Sequence, residues 1–168
     1  MSRGRRICQE DQENVSQIAK VFRIPVTTDV WDWCEVGERW DETLDTSDNV
    51  VVIKLARRQI AWNLVTTWPT ISALPHLMEL RLEYNNLEGG FPDSMPPSLE
   101  RLYLDNNPKL KGTLPQSMKF RKLKVLWLNN CGIKGGIPYS IGDLWAIKQL
   151  YLAENQREFL LVPSSSLA

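Results

Sequence analysis

The sequence predicts an α/β solenoid, a short horseshoe of stacked coils with a parallel β-sheet on its concave side. Three observations support this prediction. Leucines recur at a fixed spacing in the second half of the chain, a glycine and a proline follow the leucines at a constant offset, and the preceding region has a different, tryptophan-rich composition. A repeat of about 20 to 50 residues indicates such an array, because a single coil cannot bury its apolar face alone.

Four copies of an L-x-x-L-x-L-x-x-N pattern make up the repeat. Its last position is Asn85, Asn107, Cys131 and Asn155, so successive copies step by 22, 24 and 24 residues. A fainter copy around Ile53 precedes them, which gives about five coils. This is the spacing of a leucine-rich repeat. The apolar positions of the four full copies are Leu77, Leu80, Leu82, Leu99, Leu102, Leu104, Leu123, Leu126, Leu128, Ile147, Leu150 and Leu152.

The first three copies continue into an L-x-G-x-x-P motif, at residues 87–92, 110–115 and 133–138. A chance excess of leucine would not keep glycine and proline in phase. We expect the glycine to permit a turn that other residues resist, and the proline to start the return arm on the convex side. The fourth copy lacks this motif and has Arg157 at the expected leucine.

The asparagine that ends each strand is expected to hold the bent backbone. Its amide both donates and accepts, so it can bond its own turn and the next coil. Cys131 occupies one of these positions. We interpret it as a small buried substitute and weak donor rather than a reactive thiol.

Before the repeats, residues 14–49 are predicted to form an N-terminal cap. Val15, Ile18 and Phe22 have helical spacing, and the tryptophans at 31, 33 and 40 are expected to cover the first coil. The acidic run 41–48 is predicted to be an exposed loop. The remaining boundaries are a flexible N-terminus at 1–13, repeats at 50–155, and a tail or makeshift cap at 156–168 that includes the apolar segment 159–162.

Composition excludes several classes of function. The 20 basic residues balance the 20 acidic ones, so we expect neither nucleic acid nor an anionic membrane as partner. No apolar segment has the length of a signal peptide core, a membrane span or an anchor signal, which favours a cytoplasmic location. Cys8, Cys34 and Cys131 are too few and too widely spaced for a disulfide framework, and are expected to be free thiols.

The sequence predicts a non-catalytic protein with no metal and no cofactor. His76 is the one histidine, and it falls in the turn before a repeat strand, where we expect it to be exposed to solvent. The paired glycines at 89–90 and 135–136 belong to the repeat rather than to a phosphate-binding loop. No carboxylate pair lies in apolar sequence of the kind that raises a pKa for acid catalysis.

Residues 98–110, 112–115 and 150–155 match the repeats of a known family. They resemble the leucine-rich repeats of trypanosomatid surface antigens and proteophosphoglycans and, more loosely, those of plant receptor ectodomains. The resemblance covers about residues 14–155 and implies an extracellular role in adhesion or recognition. The sequence departs from that family in lacking a signal peptide, an anchor signal and a second cap cysteine near Trp40.

Side-chain alternation along each strand predicts the concave surface. With the leucines pointing inward, the residue between them points outward, which gives a stripe of Lys54, Arg81, Tyr103, Trp127 and Tyr151. This stripe is interpreted either as a binding surface or as ordinary surface stabilised by stacking between coils. Trp62, Trp68 and Trp145 fall outside the strands and are predicted to pack in the cap or on the convex side. The predicted partner-binding residues are Arg81, Glu83, Tyr103, Asp105, Trp127, Asn129 and Tyr151.

The leading hypothesis is a protein-interaction module that binds a protein or peptide on this concave face. Tyrosine, tryptophan and arginine dominate binding hot spots, since they contribute a large contact area at small entropic cost. One alternative is a structural subunit that docks or self-associates through its C-terminal edge. Another is a cell-surface recognition or adhesion protein that binds protein or glycan.

Overall fold

The computed structural model of the chain describes residues 34–36 and 50–156. Its strands form one sheet in which neighbours in sequence are neighbours in space, and β2 to β6 pair in parallel. The predicted solenoid with a parallel sheet is confirmed. A strand that we did not predict, β1, pairs with β2 in antiparallel orientation. The strands are β1 (Cys34–Val36), β2 (Val50–Lys54), β3 (Glu79–Arg81), β4 (Arg101–Tyr103), β5 (Val125–Trp127) and β6 (Gln149–Tyr151).

The register of the sheet places equivalent repeat positions side by side. Leu80 pairs with Leu102, Leu102 with Leu126, and Leu126 with Leu150. The first three of these leucines are fully buried, as the alternation of side chains along a strand requires. Outward residues therefore form columns that cross the concave face from coil to coil.

One continuous core lies between the sheet and the return arms on the convex side. Leu74, Leu87 and Leu144 enter it from outside the strands. Burial of each large aliphatic side chain stabilises the fold by roughly 1.5–3 kcal/mol before the cost of ordering the chain. The stacking of coils therefore supplies most of the stability, as the repeat predicted.

The asparagines that end the strands hold the backbone of two coils together. The Asn107 amide donates to the carbonyl oxygens of Leu104 at 2.6 Å and Leu82 at 3.0 Å, while its oxygen accepts from the Leu87 amide at 3.1 Å. Leu82 and Leu87 belong to the preceding coil. The sequence-based expectation of bonds to the next coil is therefore wrong in direction, because the side chain points back along the stack.

Cys131 replaces an asparagine in this series. Its thiol is fully buried and donates to the Leu104 carbonyl oxygen of the preceding coil at 3.2 Å. Burial raises the pKa of the Cys131 thiol to about 12. Both properties agree with the interpretation of a buried substitute rather than a nucleophile.

The first return arm contains a helix that the sequence analysis did not predict, α1 (Leu64–Ser72). The Asn63 side chain caps its N-terminus by accepting from the Thr66 amide at 3.3 Å. Pro69 lies inside the helix, and threonines lie close to it. Because proline and β-branched residues are unfavourable in helices, the sequence did not predict this one. Trp68 is buried, and its Nε1 donates to the Ser94 carbonyl oxygen at 2.5 Å.

Two of the three tryptophans that were predicted to pack do so. Trp62 and Trp68 are buried against the core, which confirms the prediction for both. The prediction is wrong for Trp145, whose side chain is 87% exposed. Trp145 lies at the repeat position of the exposed Arg121, in the turn before the strand, and that turn faces solvent. A short 3-10 helix, Tyr139–Asp143, precedes it.

Several predictions fall outside the described residues. These are the helix at 14–22, the tryptophans at 31, 33 and 40, the acidic loop at 41–48, and the tail from Arg157 onward with its apolar segment 159–162. The division of the chain into the four segments 1–13, 14–49, 50–155 and 156–168 remains a prediction. Within residues 34–36 and 50–156, no helix is long and apolar enough to cross a bilayer.

Candidate functional site

Three aromatic side chains, Tyr103, Trp127 and Tyr151, lie in one row across the concave face and are called the aromatic stripe. The rings of Tyr103 and Trp127 are 4.9 Å apart, and those of Trp127 and Tyr151 are 5.3 Å apart. Both pairs meet edge to face, one of the arrangements that aromatic rings prefer. The parallel register produces this row, since the three residues occupy the same position of successive strands.

Exposure increases along the aromatic stripe toward the C-terminal coil. Tyr103 is 9% exposed, Trp127 is half-buried, and Tyr151 is 48% exposed. The expectation that all three are exposed is therefore wrong for Tyr103. The Arg81 guanidinium lies over its ring, 4.6 Å from the centroid, and the Trp127 ring covers its other side. Burial also raises the pKa of the Tyr103 hydroxyl.

Trp127 and Tyr151 thus present the accessible part of the stripe. The Trp127 indole is oriented by its Nε1, which donates to the Gln149 side-chain oxygen at 3.3 Å. Lys54, at the other end of the same column, is exposed and pairs in register with Arg81. Cations and aromatic rings therefore share one continuous column, as predicted.

A neighbouring column, which the sequence analysis missed, positions Arg81. Glu79 accepts from Arg81 Nε and, at 2.6 Å, from Arg101 Nε on the next coil. Burial raises the pKa of the Glu79 carboxyl, but the hydrogen bonds from the two arginines outweigh that effect and leave the pKa below its ordinary value. Side chains two residues apart on a strand point to the same face. Glu79 and Arg101 lie two residues before Arg81 and Tyr103, so the same rule could have revealed this column.

The third column contains the predicted residues Glu83, Asp105 and Asn129. Asp105 is buried, while Glu83 and Asn129 are partly buried. The Asn129 oxygen accepts from the Ala153 amide at 2.7 Å and so bonds the last coil. One carboxylate oxygen each of Glu83 and Asp105 is buried without a hydrogen-bond donor from the described residues. This column is therefore acidic and incompletely bonded.

A fourth column flanks the others at the end of the strands. Its residues have positive φ in every described coil, a left-handed conformation that asparagine tolerates better than most side chains. The guanidinium of Arg57 lies 3.9 Å from the centroid of the Tyr84 ring, so this column also places a cation against an aromatic ring. The members are Arg57, Tyr84, Asn106, Asn130 and Glu154.

The structure brings the seven predicted partner-binding residues together on one face. Arg81, Tyr103, Trp127 and Tyr151 form the central column, and the remaining three form the adjacent one. His76 lies elsewhere, exposed in the turn before β3, as expected. The concave face thus combines aromatic rings, arginines and carboxylates at short range, which suits recognition of a polypeptide better than a small apolar ligand.

Comparison with known proteins agrees with this architecture. The family model described as Leucine Rich Repeat matches residues 76–97 and 122–144. Two Arabidopsis thaliana proteins are similar in sequence: Receptor-like protein 34 is 37% identical over 81 residues, and Receptor-like protein 6 is 38% identical over 78 residues. The matched regions cover 48% and 45% of this chain but only 8% of either relative.

Solved structures with the same fold include a two-protein complex and two receptor kinases. The BIR3–SERK2 complex of Arabidopsis thaliana aligns with a TM-score of 0.60 at 21% identity, covering 89% of this chain and 80% of that one. The ectodomain of the receptor kinase SOBIR1 from the same plant gives 0.62 at 18% identity, covering 90% and 96%. Pollen Receptor Kinase 3 gives 0.56 at 27% identity, covering 68% and 55%.

These matches support a leucine-rich-repeat protein similar to plant receptor-like proteins. The looser of the two resemblances is therefore supported, while the resemblance to trypanosomatid surface antigens is not shown. The expectation of a cytoplasmic location receives no support from relatives of this kind.

Proposed function

We propose that this leucine-rich-repeat protein is a non-catalytic interaction module that binds a protein or peptide on its concave face. The binding surface is the accessible end of the aromatic stripe, Trp127 and Tyr151, with Arg81 beside the buried Tyr103. The single observation that supports this most directly is that the rings of Trp127 and Tyr151 remain accessible to solvent, since large rings on a sheet surface are not needed by the apolar core beneath them.

The geometry favours recognition over a purely structural role for these rings. Tyr103 is packed from both sides, so stacking between coils accounts for it. Tyr151 lies on the last described strand and leaves 48% of its surface exposed. A partner that covers Trp127 and Tyr151 would bury aromatic area on an ordered platform, and such sites supply most of the energy of protein interfaces.

The similar proteins support the same class of function. One solved structure of this fold is a complex of two proteins, BIR3 and SERK2, and others are receptor kinases. By analogy of fold alone, a protein or peptide is the expected occupant here.

The test is an affinity capture in which partners are identified by mass spectrometry, with wild type and a Trp127→Ala/Tyr151→Ala variant compared. We expect the variant to lose the partner because its two accessible rings are gone. Tyr103 is left unchanged, since its removal would open a buried contact. Circular dichroism establishes that both proteins are folded.

The matched control is Tyr139→Ala/Trp145→Ala, which removes two exposed rings outside the concave sheet. This control should keep the partner. A partner lost from the control but retained by Trp127→Ala/Tyr151→Ala would refute binding on the concave face.

A second candidate function uses that other surface. Ile137 and Tyr139 are exposed on the return arm and Trp145 in the turn before β6, so three large apolar side chains face solvent in the last described coils. This observation favours docking into an assembly, or self-association, near the C-terminal edge. If Tyr139→Ala/Trp145→Ala loses the partner and Trp127→Ala/Tyr151→Ala keeps it, this second function is the correct one. Recognition at a cell surface is compatible with either site and is suggested by the receptor-like relatives.

A further inference from the structure

Two carboxylates lie next to each other on the concave face without a cation between them. β3 and β4 pair in register, and the ladder continues past the strands with a hydrogen bond from the Tyr84 amide to the Asp105 carbonyl oxygen at 2.9 Å. Glu83 and Asp105 therefore occupy the same position of adjacent coils, where neighbouring backbones are separated by about 4.8 Å. Like charges directly opposite each other destabilise a sheet.

Neither carboxylate forms an ion pair with the described residues. Arg81, two residues before Glu83 in the same coil, makes its ion pair with Glu79 instead. Asp105 is only 8% exposed; one of its oxygens accepts from the Asn106 side chain at 2.9 Å, and the other has no donor among the described residues. One oxygen of Glu83 is buried and unbonded in the same way.

The other buried or partly buried acidic side chains in residues 50–156 differ from this pair. Glu79 is bonded by two arginines, and Glu100 by Lys124 at 2.8 Å. Burial raises the pKa of the Glu83 carboxyl; the hydrogen bond from its own backbone and the charge of Arg81 lower that pKa, Asp105 raises it, and the net shift is upward. Burying an unpaired carboxylate costs free energy. A ligand that supplied hydrogen-bond donors would remove this cost and would therefore bind more tightly.

The surroundings of the pair define the chemistry of such a ligand. Tyr103 lies two residues before Asp105 and Trp127 lies on the next coil, so the rings of the aromatic stripe border the carboxylates. A cation bound there would be attracted by the negative charge of the carboxylates and by the faces of the aromatic rings. Among the described residues, no group of three metal-ligating side chains is present, and two carboxylates alone fall short of the six or more oxygens that calcium requires.

We propose that Glu83 and Asp105 bind an arginine or lysine side chain of the peptide that occupies the concave face. The proposal rests on the proposed function and specifies its partner: a peptide with a basic residue whose neighbours contact Trp127 and Tyr151. An arginine fits best, because its planar fork has five donors for two carboxylates and can stack on a ring.

The test compares short random peptides with a fixed central arginine against matched peptides with citrulline, its neutral isostere, or glutamate. We expect wild type to retain the arginine peptides preferentially. Glu83→Gln/Asp105→Asn should weaken their binding by about tenfold or more, since a buried charge pair loses its partner. The exposed Glu154→Gln variant removes one charge from the neighbouring column and should bind like wild type.

The stability of the free protein provides a second readout. Because Glu83→Gln/Asp105→Asn removes the repulsion, we expect its urea midpoint to be equal to or higher than that of wild type. A variant that binds less but folds as well or better identifies a ligand site. A lower midpoint would mean that the carboxylates are structural and would overturn the proposal.

The peptide experiment separates this proposal from the function on which it depends. If wild type retains peptides without preferring arginine over citrulline, and Trp127→Ala/Tyr151→Ala loses them, the concave face is a peptide site and the basic-residue proposal is wrong. If wild type retains no peptide of any class, both are overturned.

Discussion

At the scale of single residues, the strand ends depend on side chains that bond the backbone where it turns away from the sheet. Asn85, Asn107 and Asn155 each donate to carbonyl oxygens of two coils. Removal of one amide leaves several buried polar groups unpaired at once, and each unpaired group costs about 1–3 kcal/mol. These residues are therefore more sensitive to substitution than their small size suggests.

Asn107→Ala should lower the free energy of unfolding by about 3 kcal/mol, because buried carbonyl and amide groups lose their partners. Urea denaturation measures the change. Asn86→Ala, in the preceding coil, is the control. The Asn86 side chain is exposed, and its hydrogen bond to Ile60 comes from the backbone amide, which the substitution keeps. Equal effects of the two substitutions would contradict the assigned role of Asn107.

The thiol of Cys131 should be inert in the folded protein. In a Cys8→Ser/Cys34→Ser background, a thiolate-specific reagent should label Cys131 only after denaturation.

The pKa of the Cys131 thiol, about 12, exceeds the ordinary value of about 9, so the unfolded chain loses the proton first as the pH rises. The Cys131 contribution to stability therefore declines as the pH rises from about 9 to about 12. A Cys131→Ala variant measured in parallel should show a flatter pH dependence; identical slopes would contradict the assignment.

At the scale of elements, the strands β3 to β6 are only three residues long, and the turns between elements fix their positions. Strands this short have little stability of their own. Gly132, which follows β5 and its asparagine turn, has a φ of +66°. A Cβ atom there would lie 2.6 Å from the Pro108 carbonyl oxygen of the preceding coil. Both the backbone conformation and the close approach of coils require glycine at this position.

Gly132→Ala should destabilise the protein by about 3 kcal/mol, through backbone strain and the clash with the preceding coil. Gly136→Ala is the matched control, since Gly136 has no neighbouring atom within 4 Å of an added Cβ. Thermal unfolding followed by circular dichroism compares the two. A control as unstable as Gly132→Ala would show that the contact with Pro108 is not the cause.

At the scale of the whole molecule, the sequence predicted the architecture well because a repeat reports the same local rule several times. The leucines, the asparagine positions and the outward columns could all be placed from that rule. Exposure could not, because it depends on neighbours in adjacent coils: Tyr103 is covered by Arg81, whereas Trp145 lies in a turn that faces solvent. The Glu79 bridge and the uncompensated Glu83–Asp105 pair likewise arise from contacts between coils.

The direction of the hydrogen bonds between coils has a mechanical consequence. In β2 to β6 those bonds run along the axis of the stack rather than across it. Tension applied between the two ends of the array therefore loads one interface at a time, as in a zipper, instead of shearing many bonds together. A coil of 24 residues, once detached, releases about 80 Å of extended chain. The protein should accordingly behave as a compliant spring that lengthens in coil-sized steps at low force.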